Sequence, residues 1–480
     1  MSATDKQPQS DRQPEPELID LYQKPEKIYT RSFTGFFRNL RLAGGTFLFL
    51  LFFGTCWLSW GERQAVLFDL PARQFHIFGA TFWPQDFILL SWILIICAFG
   101  LFTITVFAGR IWCGYTCPQS VFTWVFMWVE RFTEGERNRR IKLDKQSLTL
   151  SKALKKLTKH LLWLTIAFAT AFTFVGYFTP VKELPSLILN GLAGSWTYFW
   201  LSFFTLATYG NAGWLREQVC LYMCPYARFQ SVMFDNDTLV VAYDKQRGEQ
   251  REPRKRSANP KELGLGDCID CTVCVQVCPT GIDIRDGLQY QCIGCAACVD
   301  ACDTIMDKMG YEKGLIRYTT DTELTGGKTR TLRPRLAGYI LALLTIIGLF
   351  AWTLADRIPL ELEVIRDRNT LFRMTRDNAI ENIYMVKVAN KSQKDLDINI
   401  AVSGIKNLKL HDHSPFSVSA GEVAEHIIRI TAPAEQGVAT SRPITFNITT
   451  SDTTIKPLRS ESRFMAPRTI QPKTNTGSNQ

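Results

Sequence analysis

With 480 residues the chain has room for several domains, and its 46% hydrophobic content is ordinary in amount but strongly clustered in position. The formal net charge of +10 gathers beside the apolar stretches, which argues against nucleic acid as a partner and for anionic lipid headgroups. All fourteen cysteines precede Asp303, which excludes a disulfide-stapled C-terminal domain.

In chain order, a polar N-terminal tail, flexible up to about Pro25, leads to the first of five stretches without a formal charge. These stretches cover residues 42–61, 87–109, 161–181, 184–215 and 336–355, each reaching the roughly 20 residues that span a bilayer. Pro185, Asn190, Gly191 and Gly194 place the start of the fourth span near Leu192. About forty polar residues before the first span make it a retained anchor, unlike a cleaved signal peptide. Residues 111–129 are also apolar, but only Arg110 separates them from the second span, too short a link for two antiparallel helices. Pro118 interrupts a helix there, so Ser120 to Val129, rich in Trp124, Phe126, Met127 and Trp128, is expected as a helix lying at the membrane surface.

Two copies of C-x3-C-P follow the second and fourth spans: Cys113, Cys117, Pro118 and Cys220, Cys224, Pro225. On a helix, residues four apart share a face, so each motif offers two thiols in one direction. Brought together, the four make a soft site at the membrane edge, suited to Cu(I), with Met127 and Met223 close in sequence. The competing reading is that small cysteines pack helix ends. Cys56 and Cys97, alone within spans, are read as packing residues.

The densest signal is eight cysteines within thirty-five residues: Cys268, Cys271, Cys274, Cys278 and Cys292, Cys295, Cys298, Cys302. This doubled C-x2-C-x2-C-x3-C is the bacterial ferredoxin spacing, in which the fourth cysteine of each run serves the other cluster. One [4Fe–4S] cluster is expected on Cys268, Cys271, Cys274 and Cys302, and a second on Cys292, Cys295, Cys298 and Cys278. A zinc ribbon needs only four such ligands and fits the doubled pattern poorly. Asp303 stands where a proline often follows the last cysteine, and its charge favours a lower cluster potential.

Basic residues fix the expected orientation. The loop after the second span carries Arg110, Arg131, Arg137, Arg139, Arg140 and several lysines, and the segment around the cysteines is similarly basic. Residues 62–86 carry only Arg63 and Arg73. The N-terminus and the iron–sulfur region are therefore expected in the cytoplasm and everything after Ala355 outside. That exported part holds short alternating segments, Ile383 to Val388, Leu396 to Val402, Ala424 to Ile430 and Pro443 to Thr449, expected as an immunoglobulin-like β-sandwich. His411 and His413 make only a weak metal pair there.

The expected architecture is a multi-domain membrane protein: a tail (1–41), four transmembrane helices with the two membrane-edge motifs (42–235), a ferredoxin-like domain (236–335), a fifth transmembrane helix (336–355), the sandwich (356–467) and a flexible tail (468–480). This order of spans, motifs, cluster run and exported domain resembles the cytochrome c oxidase accessory family called CcoG, FixG or RdxA, over nearly the whole chain. The exported sandwich separates it from relatives of the NapH quinol-dehydrogenase type. The resemblance implies a bacterial inner-membrane protein that reduces Cu(II) to Cu(I) in the maturation of a cbb-type oxidase. Oxidase-assembly or copper-delivery proteins are then its partners, with an unidentified cytoplasmic donor or quinol supplying electrons. Copper at Cys113, Cys117, Cys220 and Cys224 is inferred from position and softness. A quinol-linked relay and a non-catalytic assembly scaffold are the alternatives, and homo-oligomerisation stays open. Scarce ionisable residues inside the spans argue modestly against quinone chemistry.

Overall fold

The computed structural model describes residues 27–467 apart from 261, 357–359, 368–369, 378, 393, 412–413, 434–439 and 453–454. His413 and both expected tails, before Pro25 and after Pro467, lie outside the described residues.

Helix α1 (Phe36–Thr55) leads through a short hairpin, β1 (Ser59–Trp60) and β2 (Arg63–Gln64), into an antiparallel sheet of β3 (Val66–Asp69), β4 (Gln74–Ile77) and β5 (Ala80–Phe82). Helix α2 (Phe87–Ala108) follows and stops at Gly109, whose φ of 55° favours glycine. After Arg110 come α3 (Ile111–Tyr115), α4 (Pro118–Glu134) and α5 (Arg137–Lys145). Cys117 is extended and Pro118 is the first residue of α4, as expected when proline disfavours helix in the residue before it and fits the first helical turn. The refused span thus stays broken at Cys117. The expected surface helix is longer, however, and one face is packed: Phe122 meets Phe49 of α1, and Phe126 stacks on a tryptophan further along the chain, Trp163. Trp128 and Phe132 stay exposed on its other side.

Helix α6 (Leu150–Val175) begins well before residue 161, because Thr149 caps it by accepting the Lys152 N–H. Helix α7 (Leu184–Leu189) is short, and α8 (Ser195–Thr208) has only 14 residues before the chain widens into a π-helix over Tyr209–Leu215. Four helices, α1, α2, α6 and Pro334–Ala355, are long and apolar enough to cross a bilayer among the described residues. The fourth expected span is therefore a short α-helix with a π-helical extension. Gly210, Asn211 and Gly213 lie in that extension, where helix propensity is weak. A second π-turn, Val219–Met223, ends at Cys224, and Pro225 opens α9 (Pro225–Met233).

The cysteine-rich part is bracketed by β6 (Val240–Tyr243) and a strand 73 residues further on, β7 (Ile316–Thr319), which pair antiparallel. Between them lie α10 (Lys245–Gly248), α11 (Val273–Val277) and α12 (Ala297–Met309); α13 (Asp321–Leu324) and α14 (Pro334–Ala355) follow.

The C-terminal part is a two-layer antiparallel sandwich. One sheet runs β12 (Lys409–His411), β14 (Val423–Pro433), β10 (Ala379–Asn390), β8 (Leu360–Arg366), with β9 (Arg373–Met374) also on β10. The other runs β13 (Phe416–Val418), β11 (Leu396–Ser403), β15 (Ser441–Thr450), β16 (Leu458–Met465). Alternate residues of β10, including Ile380, Tyr384, Val386 and Val388, fill the core with Ile398, Ile430, Phe446 and Phe464. All four segments expected as strands lie within β10, β11, β14 and β15.

The sandwich and the cysteine-rich part sit at opposite ends of α2. Lys391 of the sandwich pairs with Asp86, just before α2, at 3.2 Å and with Glu361 at 2.9 Å. At the other end, Val106 of α2 packs with Leu336 at the start of α14.

Candidate iron–sulfur and membrane-edge site

The two cysteine runs repeat one local geometry. Thr272 and Ala296, each directly after a second cysteine, take left-handed φ values of 54° and 53° before α11 and α12. Non-glycine residues in this region are uncommon and gather where a binding loop needs them. The chain then wraps two apolar cavities. Cys268, Cys271, Cys274 and Cys302 line one, beneath Ile305, Met306, Leu315 and Ile316. Cys278, Cys292, Cys295 and Cys298 line the other, with Cys274 at their shared wall and Ile282, Ile284 and Ile293 as cover. Cys278 and Cys302 thus stand in the set of the opposite run.

Burial pushes the thiols of Cys274 and Cys292 up to about 12, and raises those of Cys278, Cys298 and Cys302 as well. Neighbouring cysteines add to the effect, so metal must displace protons held in apolar surroundings. Among the described residues no three His, Cys, Asp or Glu side chains converge on one ion position. Eight thiols set round two cavities fit clusters of several irons. Such clusters supply single-electron transfer when bound; the chain's part is the ligand set and the dry wall. Asp303 accepts a hydrogen bond from the Gly314 N–H at 3.0 Å, and its charge reaches Cys302.

The membrane-edge motifs reach directly toward this region. A Cβ added at Gly114, inside Cys113-x3-Cys117, would lie 2.9 Å from the Cys295 Cα and the Gly294 carbonyl. Only glycine lets α3 lie this close to the loop carrying Cys292 and Cys295. Tyr318 clamps the contact: its hydroxyl is hydrogen-bonded to the Gly294 carbonyl and lies 3.3 Å from the Tyr115 hydroxyl. Arg110 holds the same loop from the other side. Its guanidinium donates to the carbonyls of Tyr290 and Cys292, to that of Ala227 at 3.0 Å, and lies over the Tyr290 ring.

The two C-x3-C-P motifs share a different geometry from the one expected. Cys113 and Cys220 are in helical turns, but Cys117 and Cys224 are extended residues at a break, each followed by a proline that starts a helix. The shared-face picture of an uninterrupted helix does not apply. The break nonetheless brings the four thiols together: Cys113 feels the charge of Cys117 and Cys224, and Cys220 that of all three others. Burial pushes Cys113 up to about 11 and Cys220 up to about 12, and Gln230 donates to the Cys113 sulfur at 3.5 Å. A cavity lined by Cys220 and Met127 is also lined by Thr280 and Ile293, neighbours of the second cysteine set. Met223 is largely exposed.

Of the remaining expected residues, Cys56 is buried and donates to the Phe53 carbonyl at 3.4 Å, whereas Cys97 is exposed on α2. The His411 ring meets the Thr431 hydroxyl at 2.9 Å.

Sequence reasoning missed a buried ionic network beside the motifs. Glu130 of α4 bonds Arg140 at 2.9 Å and Arg216 at 2.7 Å; Glu134 bonds Lys156 at 2.9 Å and Lys159 at 3.1 Å. Burial pushes the Glu130 carboxyl up, but the Arg216 and Arg140 guanidiniums outweigh it and hold it below the usual carboxylate range. The spacing of Glu130 and Glu134 on the apolar α4 was the available signal.

Paired cysteine sets at one end of apolar helices, with a sandwich at the other, define a membrane-bound iron–sulfur electron-transfer protein. Residues 215–321 match the family profile described as a 4Fe-4S dicluster domain, and residues 350–467 one described as an IG-like fold at the C-terminal of FixG. The chain is 38% identical over 423 residues to the nitrogen fixation protein FixG of Rhizobium meliloti (strain 1021), covering 80% of each. It is 38% identical over 440 residues to proteins RdxB and RdxA of Cereibacter sphaeroides, covering 87% of this chain and 91% of each relative. The chain belongs to the FixG, RdxA and RdxB family, as the resemblance implied. A crystal structure of a FixG-related protein from Vibrio parahaemolyticus is 31% identical over 22% of this chain and 95% of that one, with a TM-score of 0.21.

Proposed function

We propose that this protein carries single electrons through two [4Fe–4S] clusters with crossed ligation to its membrane edge, where Cu(II) is reduced to Cu(I) for assembly of a cbb-type cytochrome c oxidase. Each Cu(II) takes one electron and leaves as Cu(I); clusters held by the two cysteine sets would supply that electron singly, and a donor would replace it. The basic segments beside the apolar helices support a cytoplasmic cluster region and a sandwich outside a bacterial inner membrane.

The observation that carries this reading is the contact at Gly114, where the first membrane-edge motif lies against the loop of the second cysteine set. Soft sulfur donors favour the cuprous product, which helps draw the reaction forward.

A quinol-linked relay is the second reading. It is favoured by His160, whose ring meets the Tyr209 hydroxyl at 3.0 Å beside the buried pair of Glu134 and Lys159. A neutral imidazole there is able to take up a proton that quinol oxidation releases.

The test is Cys117→Ser, Cys224→Ser and the pair together. The reading expects similar losses of cuprous binding and of Cu(II) reduction in all three, because ligands acting as a unit are strongly non-additive. Iron content should stay unchanged. A double variant that reduces Cu(II) at the original rate with intact clusters returns these cysteines to a packing role.

A further inference from the structure

A cavity of about 250 Å³ opens between the segment leading into α1, the end of α4, and helices α11 and α12. Arg31, Arg38, Arg131 and Lys308 line it, and none of the four forms an ion pair among the described residues. The acids nearby are engaged elsewhere. Asp300 accepts the backbone N–H groups of Phe37 and Arg38, at 3.1 and 2.7 Å, and Glu136 accepts the Ser32 hydroxyl at 3.0 Å. Arg131 is crowded by the like charges of Arg38, Arg140 and Arg41, with Glu136 as its counter-charge.

The floor of the cavity gives those cations a purpose. Val273, Val277 and Ala301 line it, and they directly precede Cys274, Cys278 and Cys302. Between them these three serve both cavities: Cys274 lines both, Cys278 one and Cys302 the other. An anionic surface seated on the rim therefore sits one residue away from the ligands of either cluster. A lipid headgroup satisfies the charge but brings no electron to that floor.

We infer that this cavity is the docking site of a small one-electron carrier protein with an acidic face, which loads the clusters. On docking, the reduced carrier loses one electron and is oxidised, a cluster gains it, and no bond is made or broken. The inference rests on the reading of the cysteine region as an electron carrier, and not on the copper step.

The experiment uses the full-length protein in detergent, with oxidised clusters mixed anaerobically against a reduced acidic [2Fe–2S] ferredoxin. Arg31 and Lys308 are both exposed, so Arg31→Glu and Lys308→Glu should leave folding and iron content unchanged. Cluster reduction by the ferredoxin should fall about tenfold or more in the combined variant, and wild-type reduction should slow as salt rises. Reduction by the methyl viologen radical cation should not fall, and reoxidation by Cu(II) should keep its rate. An unchanged ferredoxin rate in the combined variant overturns the inference. If the ferredoxin rate holds while binding to phosphatidylglycerol vesicles drops, the cavity is a lipid headgroup site instead.

Discussion

A hydrogen in place of a methyl group at residue 114 sets how closely the membrane edge approaches the cluster loop. Gly114→Ala would push a carbon to 2.9 Å from backbone atoms of Gly294 and Cys295, and backbone cannot swing aside as a side chain can. We expect a stability loss of about 1–3 kcal/mol from overpacking. Electron transfer to Cu(II) should slow by roughly tenfold or more, since small displacements at a reacting contact are amplified in rate. Iron content and the visible absorption of the clusters should stay near wild type, because all eight cysteines of the two runs remain. Anaerobic rapid mixing checks the rate and iron analysis the content; an unchanged rate would show that electrons do not cross at this contact. Nothing in the local sequence marks Gly114 or Arg110 in this way, because both act on residues some 180 positions further along. The cysteine runs were legible because their chemistry is written in short spacings.

At the scale of elements, α4 is held between α1 and α6 by more than apolar packing. Trp163 of α6 stacks on Phe126 with ring centres 5.4 Å apart, and its indole N–H donates to the Phe126 carbonyl at 3.1 Å. The adjoining Glu130 is fully buried with Arg140, and Arg216 approaches from beyond the π-turn. Glu130→Gln should cost about 3–5 kcal/mol, since two largely buried guanidiniums lose their shared counter-charge. A clear drop in Tm in detergent, with iron content retained at low temperature, is the expected result; a Tm within a degree of wild type would contradict it. Hydropathy located the apolar helices but not this network. Nor did it report that α8 ends at Thr208, since a π-turn changes hydrogen bonding while leaving apolar composition intact. The C-x3-C-P spacing flagged two motifs, but the prolines turned each into a break between helices. The sandwich strands were readable because their in–out alternation survives in β10 and β11.

For the whole molecule, the relevant feature is that the sandwich and the cluster region occupy opposite ends of α2. Lys391, nearly buried between Asp86 and Glu361, fixes the sandwich against the start of that helix. With basic residues concentrated at the cluster end, a reporter active only outside the cytoplasm should work when fused at Gln480 and fail when fused after Gly266. The opposite pattern would reverse the orientation and remove the basis for a cytoplasmic electron donor.

The most direct test of the central claim is to reduce the clusters of the purified protein with dithionite, remove the excess anaerobically, and add Cu(II) or a short-chain quinone separately. The account predicts rapid cluster oxidation by Cu(II), with one Cu(I) trapped per electron lost, and slow oxidation by the quinone. Rapid oxidation by the quinone alone would favour the relay, and oxidation by neither would leave the clusters without a redox role at the membrane edge.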